Sequence, residues 1–184
     1  MLPVILNLVF FKLVWAASLA GVVYGYAWWG LGALCCFMIW HGATVPTARA
    51  DFVLAITAVA IGLVLDTAYV RSGLISYEGN MLWSGAAPLW ILALWANFAL
   101  TMNGCMRWLQ TRKPLAAALA FIFGPLSYYG GIALGTATVT GEQWLLFAVI
   151  GLAWAVALPL LLSLAVRYAD RFSTPLGATV GYPS

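Results

Sequence analysis

The sequence predicts an all-α, polytopic membrane protein, because charged residues are scarce and lie mostly at the ends of long apolar stretches. Eight of the 184 residues are Lys or Arg, five are Asp or Glu, and 65% are hydrophobic. The mean hydropathy is +1.00. Stretches without any charge cover residues 13–48, 79–106, 114–141 and 143–166. About 20 apolar helical residues cross a hydrocarbon core of about 30 Å, so each stretch can hold at least one span.

Six spans are predicted, separated by short polar or glycine-containing breaks. They run over residues 3–24, 27–45, 52–70, 88–108, 115–136 and 144–166. The link Tyr24-Gly25-Tyr26 is so short that the first two spans must be antiparallel neighbours. No apolar stretch alternates with period two, which disfavours strands, and helices satisfy their own backbone groups in lipid. Residues 1–168 are therefore predicted to form one six-helix transmembrane domain, followed by a flexible tail over 169–184.

The distribution of basic residues predicts that both termini are cytoplasmic. With the N-terminus inside, Arg71 is the one Lys or Arg on the opposite side of the membrane. The cytoplasmic loops and ends would carry Arg49, Arg107, Arg112, Lys113, Arg167 and Arg171. Such a bias is the positive-inside signature. The first apolar stretch lacks a basic start and is interrupted by Lys12, so we expect a retained helix and not a cleaved signal.

Small residues and prolines mark the fifth and sixth spans. Pro125 and Pro159 are expected to kink these spans and could free carbonyl groups to line a pocket. Gly131 and Gly135 have the small-xxx-small spacing that permits close helix approach.

Ionisable residues inside a membrane are costly, so each is a functional candidate. Asp66 follows a purely apolar run in the third span, and Arg71 is a possible structural partner for it. Lys12 lies about two and a half turns inside the first span, where its stem either reaches the cytoplasmic headgroups or points inward to bind an anionic or carbonyl-bearing ligand.

Uncharged polar side chains and the single histidine complete the set of candidates. His41 lies near the cytoplasmic end of its span, at the depth expected for Asn103, while Asn97 and Tyr128 lie deeper. Interhelical hydrogen bonding is the simpler interpretation for these residues. The candidate ligand-binding residues are Lys12, His41, Asp66, Asn97, Asn103 and Tyr128. The three cysteines and one histidine have no metal-ligand spacing, so we expect neither a metal nor a cofactor.

Several motifs resemble those of an uncharacterised family of small six-span bacterial inner-membrane proteins, a domain of unknown function. They are GLVLD at 62–66, PLW at 88–90, LWANFA at 94–99 and GPLSYYGG at 124–131. The resemblance covers most of residues 4–168 and implies a location in the bacterial inner membrane. It carries no established activity, and implies only a loose association with lipid metabolism.

Three functions are compatible with these observations, and nucleic-acid binding is not among them because no basic patch is present. The first is an intramembrane polar pocket that binds or translocates a small amphiphilic or lipid-like ligand. The second is a membrane-embedded enzyme of lipid or isoprenoid metabolism that uses Asp66 as its acid–base group. The third is an accessory subunit that packs against a membrane-protein partner. Apart from such a partner or ligand, the lipid bilayer itself is the predicted partner.

Overall fold

Six α-helices and one two-stranded sheet form the part of the chain that the computed structural model describes, residues 2–79 and 83–172. The helices are α1 Leu2–Val23, α2 Trp28–Thr44, α3 Ala48–Arg71, α4 Leu89–Ala99, α5 Lys113–Ala133 and α6 Gln143–Phe172. The strands are β1 Ile75–Tyr77 and β2 Ala137–Val139. The predicted all-α helical bundle is confirmed, with the short strands confined to the connections between helices.

Four helices are long and apolar enough to cross a membrane, namely α1, α3, α5 and α6. These helices indicate a multi-pass membrane protein. Helix α2 has 17 residues and so reaches about 25 Å, near the lower limit for a span. Helix α6 extends to Phe172, into the stretch expected to be a tail, and residues 173–184 lie outside the described residues.

The fourth predicted span, 88–108, is wrong in its extent, because α4 ends at Ala99. Its 11 residues reach only about 16 Å, roughly half of a hydrocarbon core. Most of α4 is buried, in contact with α1, α2 and α3. Helix α4 is therefore a core helix inside the bundle, and its apolar sequence looked like a span because a buried helix is apolar on all sides.

The chain after α4 forms successive turns that are tied to α1 by Asn7. The Asn7 side chain donates to the carbonyl of Leu100 at 3.0 Å, and its Oδ1 accepts from the backbone N–H of Cys105 at 3.2 Å. A Cβ on Gly104 would lie 2.5 Å from Asn7 Oδ1, so only glycine permits this approach. Protein groups thereby satisfy part of this irregular backbone, as a membrane protein requires.

Helices α3 and α5 end in the same way, and the two segments that leave them form the sheet. Gly73 and Gly135 have φ of 70° and 80°, and each directly follows the C-cap residue of its helix. Backbone N–H groups then bond back to the carbonyls of Tyr69 and Gly131, which makes both ends Schellman motifs. The expected helix-packing pair of Gly131 and Gly135 is therefore wrong, because Gly135 lies beyond the end of α5.

Strands β1 and β2 pair antiparallel, with Ile75 opposite Val139 and Tyr77 opposite Ala137. This pairing closes one end of the bundle and directs Tyr77 into the interior, where it is 3% exposed. The opposite end is held by the connection between α2 and α3, the turns after α4 and the second half of α6. Asn103, in those turns, contacts both Asp51 of α3 and the Ala165 carbonyl of α6. We name these the Asp66 end and the Asp51 end, after the buried carboxylate near each.

Candidate functional site

A cavity of about 550 Å³ lies between α1, α4, α5 and α6. This volume is within the range of about 300–1,000 Å³ that small-molecule sites occupy. Its lining is dominated by apolar and aromatic side chains, and Lys12 is the one charged residue among the described residues that line it. Along α5 the lining extends from Leu119 to Gly131, a rise of about 18 Å. The cavity is therefore elongated, apolar and suited to a chain-like molecule.

Two stacked tryptophans form one wall of the cavity. The rings of Trp95 on α4 and Trp154 on α6 lie 4.5 Å apart and nearly parallel, at 14°. Two glycines make this arrangement possible, because a Cβ on Gly62 would collide with the Trp95 ring. A Cβ on Gly124 would lie 2.8 Å from Trp154. The wall therefore depends on glycine notches in the neighbouring helices α3 and α5.

Asp66 holds three of the aromatic side chains that line the cavity. Its Oδ1 accepts hydrogen bonds from the hydroxyls of Tyr77 at 2.6 Å and Tyr128 at 2.8 Å. Its Oδ2 accepts from the indole N–H of Trp95 at 2.8 Å. Asp66 is fully buried and is not itself part of the cavity lining. We name Asp66, Tyr77, Trp95 and Tyr128 the Asp66 cluster; its carboxylate orients side chains from β1, α4 and α5 together.

The Tyr77 phenol remains a hydrogen-bond donor over the physiological pH range. Burial raises its pKa well above the usual value, and the adjacent Asp66 carboxylate raises it further. The proton therefore stays on the phenol and is shared with Asp66.

Tyr69, whose ring lies against Tyr128, has a buried hydroxyl without any hydrogen-bond partner among the described residues. The possible pair of Asp66 with Arg71 does not form, since the one contact within 4.0 Å between a basic and an acidic side chain among the described residues joins His41 to Asp51.

A second buried carboxylate, Asp51, organises the opposite end of the bundle. His41 Nε2 lies 2.8 Å from Asp51 Oδ2, and the Thr47 hydroxyl donates to the same oxygen at 2.7 Å. The Asn103 amide donates to Asp51 Oδ1 at 2.6 Å and accepts from Gln110 at 2.7 Å. We name these five residues the Asp51 cluster. None of them lines the cavity, and they tie the connection between α2 and α3 to the turns after α4.

The six sequence candidates therefore separate into different environments. Asp66 and Tyr128 meet in the Asp66 cluster, whereas His41 and Asn103 meet in the Asp51 cluster. Asn97 is buried, does not line the cavity, and donates to the Phe11 carbonyl at 3.1 Å, which ties α4 to α1. Lys12 is exposed and lines the cavity.

Sequence reasoning missed Asp51, Tyr77 and Trp95. Asp51 was assigned to a polar break between spans, whereas it lies in the first turn of α3 and is fully buried. Tyr77 and Trp95 belong to residue types that occur eight and ten times in the chain, so their type alone did not single them out. The one available signal was Gly62, a turn before Asp66, which marks the place where Trp95 approaches α3. No three His, Cys, Asp or Glu side chains could jointly hold a metal ion in the described ranges 2–79 and 83–172.

Comparison with known proteins identifies the family. Residues 4–160 match the family described as Protein of unknown function (DUF2878). The chain belongs to this family. The match includes the whole Asp66 cluster and all the residues that line the cavity. Comparisons with curated proteins and with solved structures each return no match.

Proposed function

We propose that this DUF2878 protein binds a single-chain or prenyl-like amphiphile in the cavity between α1 and α5. The observation that carries the proposal is the elongated apolar cavity of about 550 Å³ inside a bundle of membrane-spanning helices. Its length of about 18 Å along α5 approximates one leaflet of a hydrocarbon core about 30 Å thick. An apolar chain that enters it from lipid exchanges one apolar surrounding for another, so shape and a few polar contacts provide selectivity.

Exposed residues in the cavity lining support entry of the ligand from the side of the helical bundle. Leu8 and Lys12 on α1, and Phe123 and Ser127 on α5, line the cavity and are also exposed. An opening between α1 and α5 would face the lipid, because both helices are candidate spans. A membrane lipid would then reach the cavity without passing through water.

Asp66 fits a positioning role better than that of an acid–base catalyst. Both of its carboxylate oxygens already accept hydrogen bonds from protein side chains, and it does not line the cavity. A general acid or base must come within hydrogen-bond reach of the reacting group. We therefore favour ligand binding over the enzyme hypothesis.

The binding test uses two neighbouring residues of α5 that differ in their relation to the cavity. Ser127 lines the cavity, whereas Leu126 is 56% exposed and does not. The protein, reconstituted in phosphatidylcholine nanodiscs, is photolysed with a diazirine-bearing palmitoyl probe, and the adducts are mapped by mass spectrometry. Ser127→Trp should lower labelling of the cavity residues about tenfold, and Leu126→Trp should leave it unchanged. Adducts spread evenly over the lipid-facing helices, or equal effects of both variants, would contradict the proposal.

We also propose that the protein lies in the bacterial inner membrane with the Asp51 end in the cytoplasm. The six basic residues predicted to be cytoplasmic all lie on the connections and helix ends that meet at this end of the bundle. A periplasm-active phosphatase fused after the C-terminus should be inactive, and a fusion after Arg71 should be active. The reverse pattern would invert the orientation.

A further inference from the structure

The one charged side chain in the described lining of the cavity, Lys12, lies toward one end of it. We propose that the amphiphile carries an anionic headgroup, of the phosphate or carboxylate class, which the Lys12 ammonium binds at the Asp51 end of the cavity. This inference rests on the proposed function and adds the chemistry and the orientation of the ligand. The apolar chain would extend from Lys12 along α5 toward Tyr77 and Thr136.

Charge complementarity is the first argument. Lys12 has no carboxylate within 4.0 Å, although all five acidic residues of the chain lie in the described part. Asp51 and Asp66 are both fully buried and held by donors of their own clusters. Because no acidic side chain neutralises Lys12, an anion from a ligand would be its natural partner.

The surroundings of Lys12 provide the second argument. Cys105, Met106 and Trp108 line the same end of the cavity, and the guanidinium of Arg112 lies 5.7 Å from the centre of the Trp108 ring. This end of the cavity therefore combines the Lys12 cation with an amphipathic tryptophan, the Arg112 cation lies outside the lining behind that tryptophan, and no carboxylate lines the cavity among the described residues. Basic pockets between transmembrane helices on the cytoplasmic side bind anionic lipid headgroups.

Among the described residues, no cation lines the opposite end of the cavity. Its lining there comprises Tyr77, Trp90, Thr136 and Ala137, and the Tyr77 hydroxyl is already engaged with Asp66. This end could accept a chain terminus but offers no charge to an anion. The ligand would therefore be oriented in one direction, with its headgroup at Lys12.

Cys105 provides a natural reporter at the proposed headgroup site. It lines the cavity and is partly exposed, and the other two cysteines, Cys35 and Cys36, are replaced by Ser to leave a single thiol. The rate at which N-ethylmaleimide modifies Cys105 is measured in phosphatidylcholine nanodiscs. The competing probes are dodecyl phosphate, dodecanol, dodecyltrimethylammonium and inorganic phosphate.

Dodecyl phosphate should protect Cys105 at a concentration about tenfold lower than dodecanol, since a charge-assisted contact is added to the same chain. Dodecyltrimethylammonium should protect less well than dodecanol, and inorganic phosphate should not protect in the same range. Lys12→Gln should remove the advantage of the phosphate and retain protection by dodecanol. Lys12→Arg should keep most of the advantage.

The outcomes separate this inference from the function on which it rests. If dodecyl phosphate and dodecanol protect equally in the single-cysteine protein that retains Lys12, the headgroup assignment is wrong and the cavity proposal stands. If inorganic phosphate protects as well as dodecyl phosphate, the site binds a free anion and the amphiphile assignment is wrong. If no chain-bearing probe protects, both proposals fail. This comparison needs no change at Lys12, so it remains decisive even if Lys12→Gln does not fold.

Discussion

The two buried carboxylates, Asp66 and Asp51, lie at opposite ends of the bundle and receive different partners. The donors to Asp66 are all aromatic, and each of them lines the cavity. Asp51 instead meets an imidazole, a hydroxyl and an amide that do not line the cavity. Both carboxylates are fully buried, so burial alone does not distinguish a structural residue from one that shapes a site.

The comparison indicates that the function of a buried charge depends on what its partners touch. Asp51 connects the link between α2 and α3 to the turns after α4, so its loss should affect folding more than ligand binding. Asp66 positions the cavity wall, so its loss should affect folding and ligand binding together.

The largest effect is expected from replacing either carboxylate by Leu. Asp66→Leu leaves three buried donors without an acceptor and should lower the free energy of unfolding by about 3 kcal/mol, at about 1 kcal/mol for each donor. Asp51→Leu should cost a similar amount for the same reason. Thermal unfolding in detergent measures both.

Ligand binding should then separate the two variants. Protection of Cys105 by dodecanol should weaken at least several-fold in Asp66→Leu and by less in Asp51→Leu, measured at a temperature where both are folded. Some loss is expected in Asp51→Leu because its partner Asn103 lies in the same turns as Cys105. Equal losses in both variants, or none in either, would remove the distinction between the clusters.

An intermediate effect is expected at the glycine notch beneath Trp95. Gly62→Ala places a methyl group against the indole ring and should destabilise the protein by about 1–3 kcal/mol through overpacking. Gly32→Ala is the matched control, because no atom lies within 4 Å of the added Cβ. The control should be neutral or slightly stabilising, since Ala favours a helix more than Gly. If both substitutions change the unfolding temperature by the same amount, the glycine notch at Gly62 has no special role.

The smallest effect is expected from single tyrosine hydroxyls. Tyr77→Phe removes one donor to Asp66 and should cost about 1 kcal/mol. Tyr69→Phe removes a buried hydroxyl that has no partner, so its stability should be unchanged or slightly higher. If chemical or thermal unfolding gives the larger loss for Tyr69→Phe, the hydrogen bonds assigned to Asp66 would be in error.

The sequence identified two residues of the Asp66 cluster but did not predict which side chains contact one another. It selected Asp66 and Tyr128 separately, as polar groups at membrane depth, and these two residues form a hydrogen bond. It could not anticipate that Tyr77 and Trp95 complete the cluster, because these contacts span 11 and 29 residues along the chain. It also placed Asp51 in the polar break between the second and third predicted spans, because local sequence does not reveal that Asn103 and His41 fold onto it.

By itself, the sequence determined the membrane class, the helical content and the approximate position of the long helices. These properties follow from the length and hydropathy of local stretches, and lipid allows such stretches few structures other than the helix. Tertiary structure alone decided that α4 is a short core helix, that α5 ends before Gly135, and that the two carboxylates have different partners and roles. The reason is physical: an apolar stretch has the same composition whether lipid or protein surrounds it, and only packing determines which neighbours it meets.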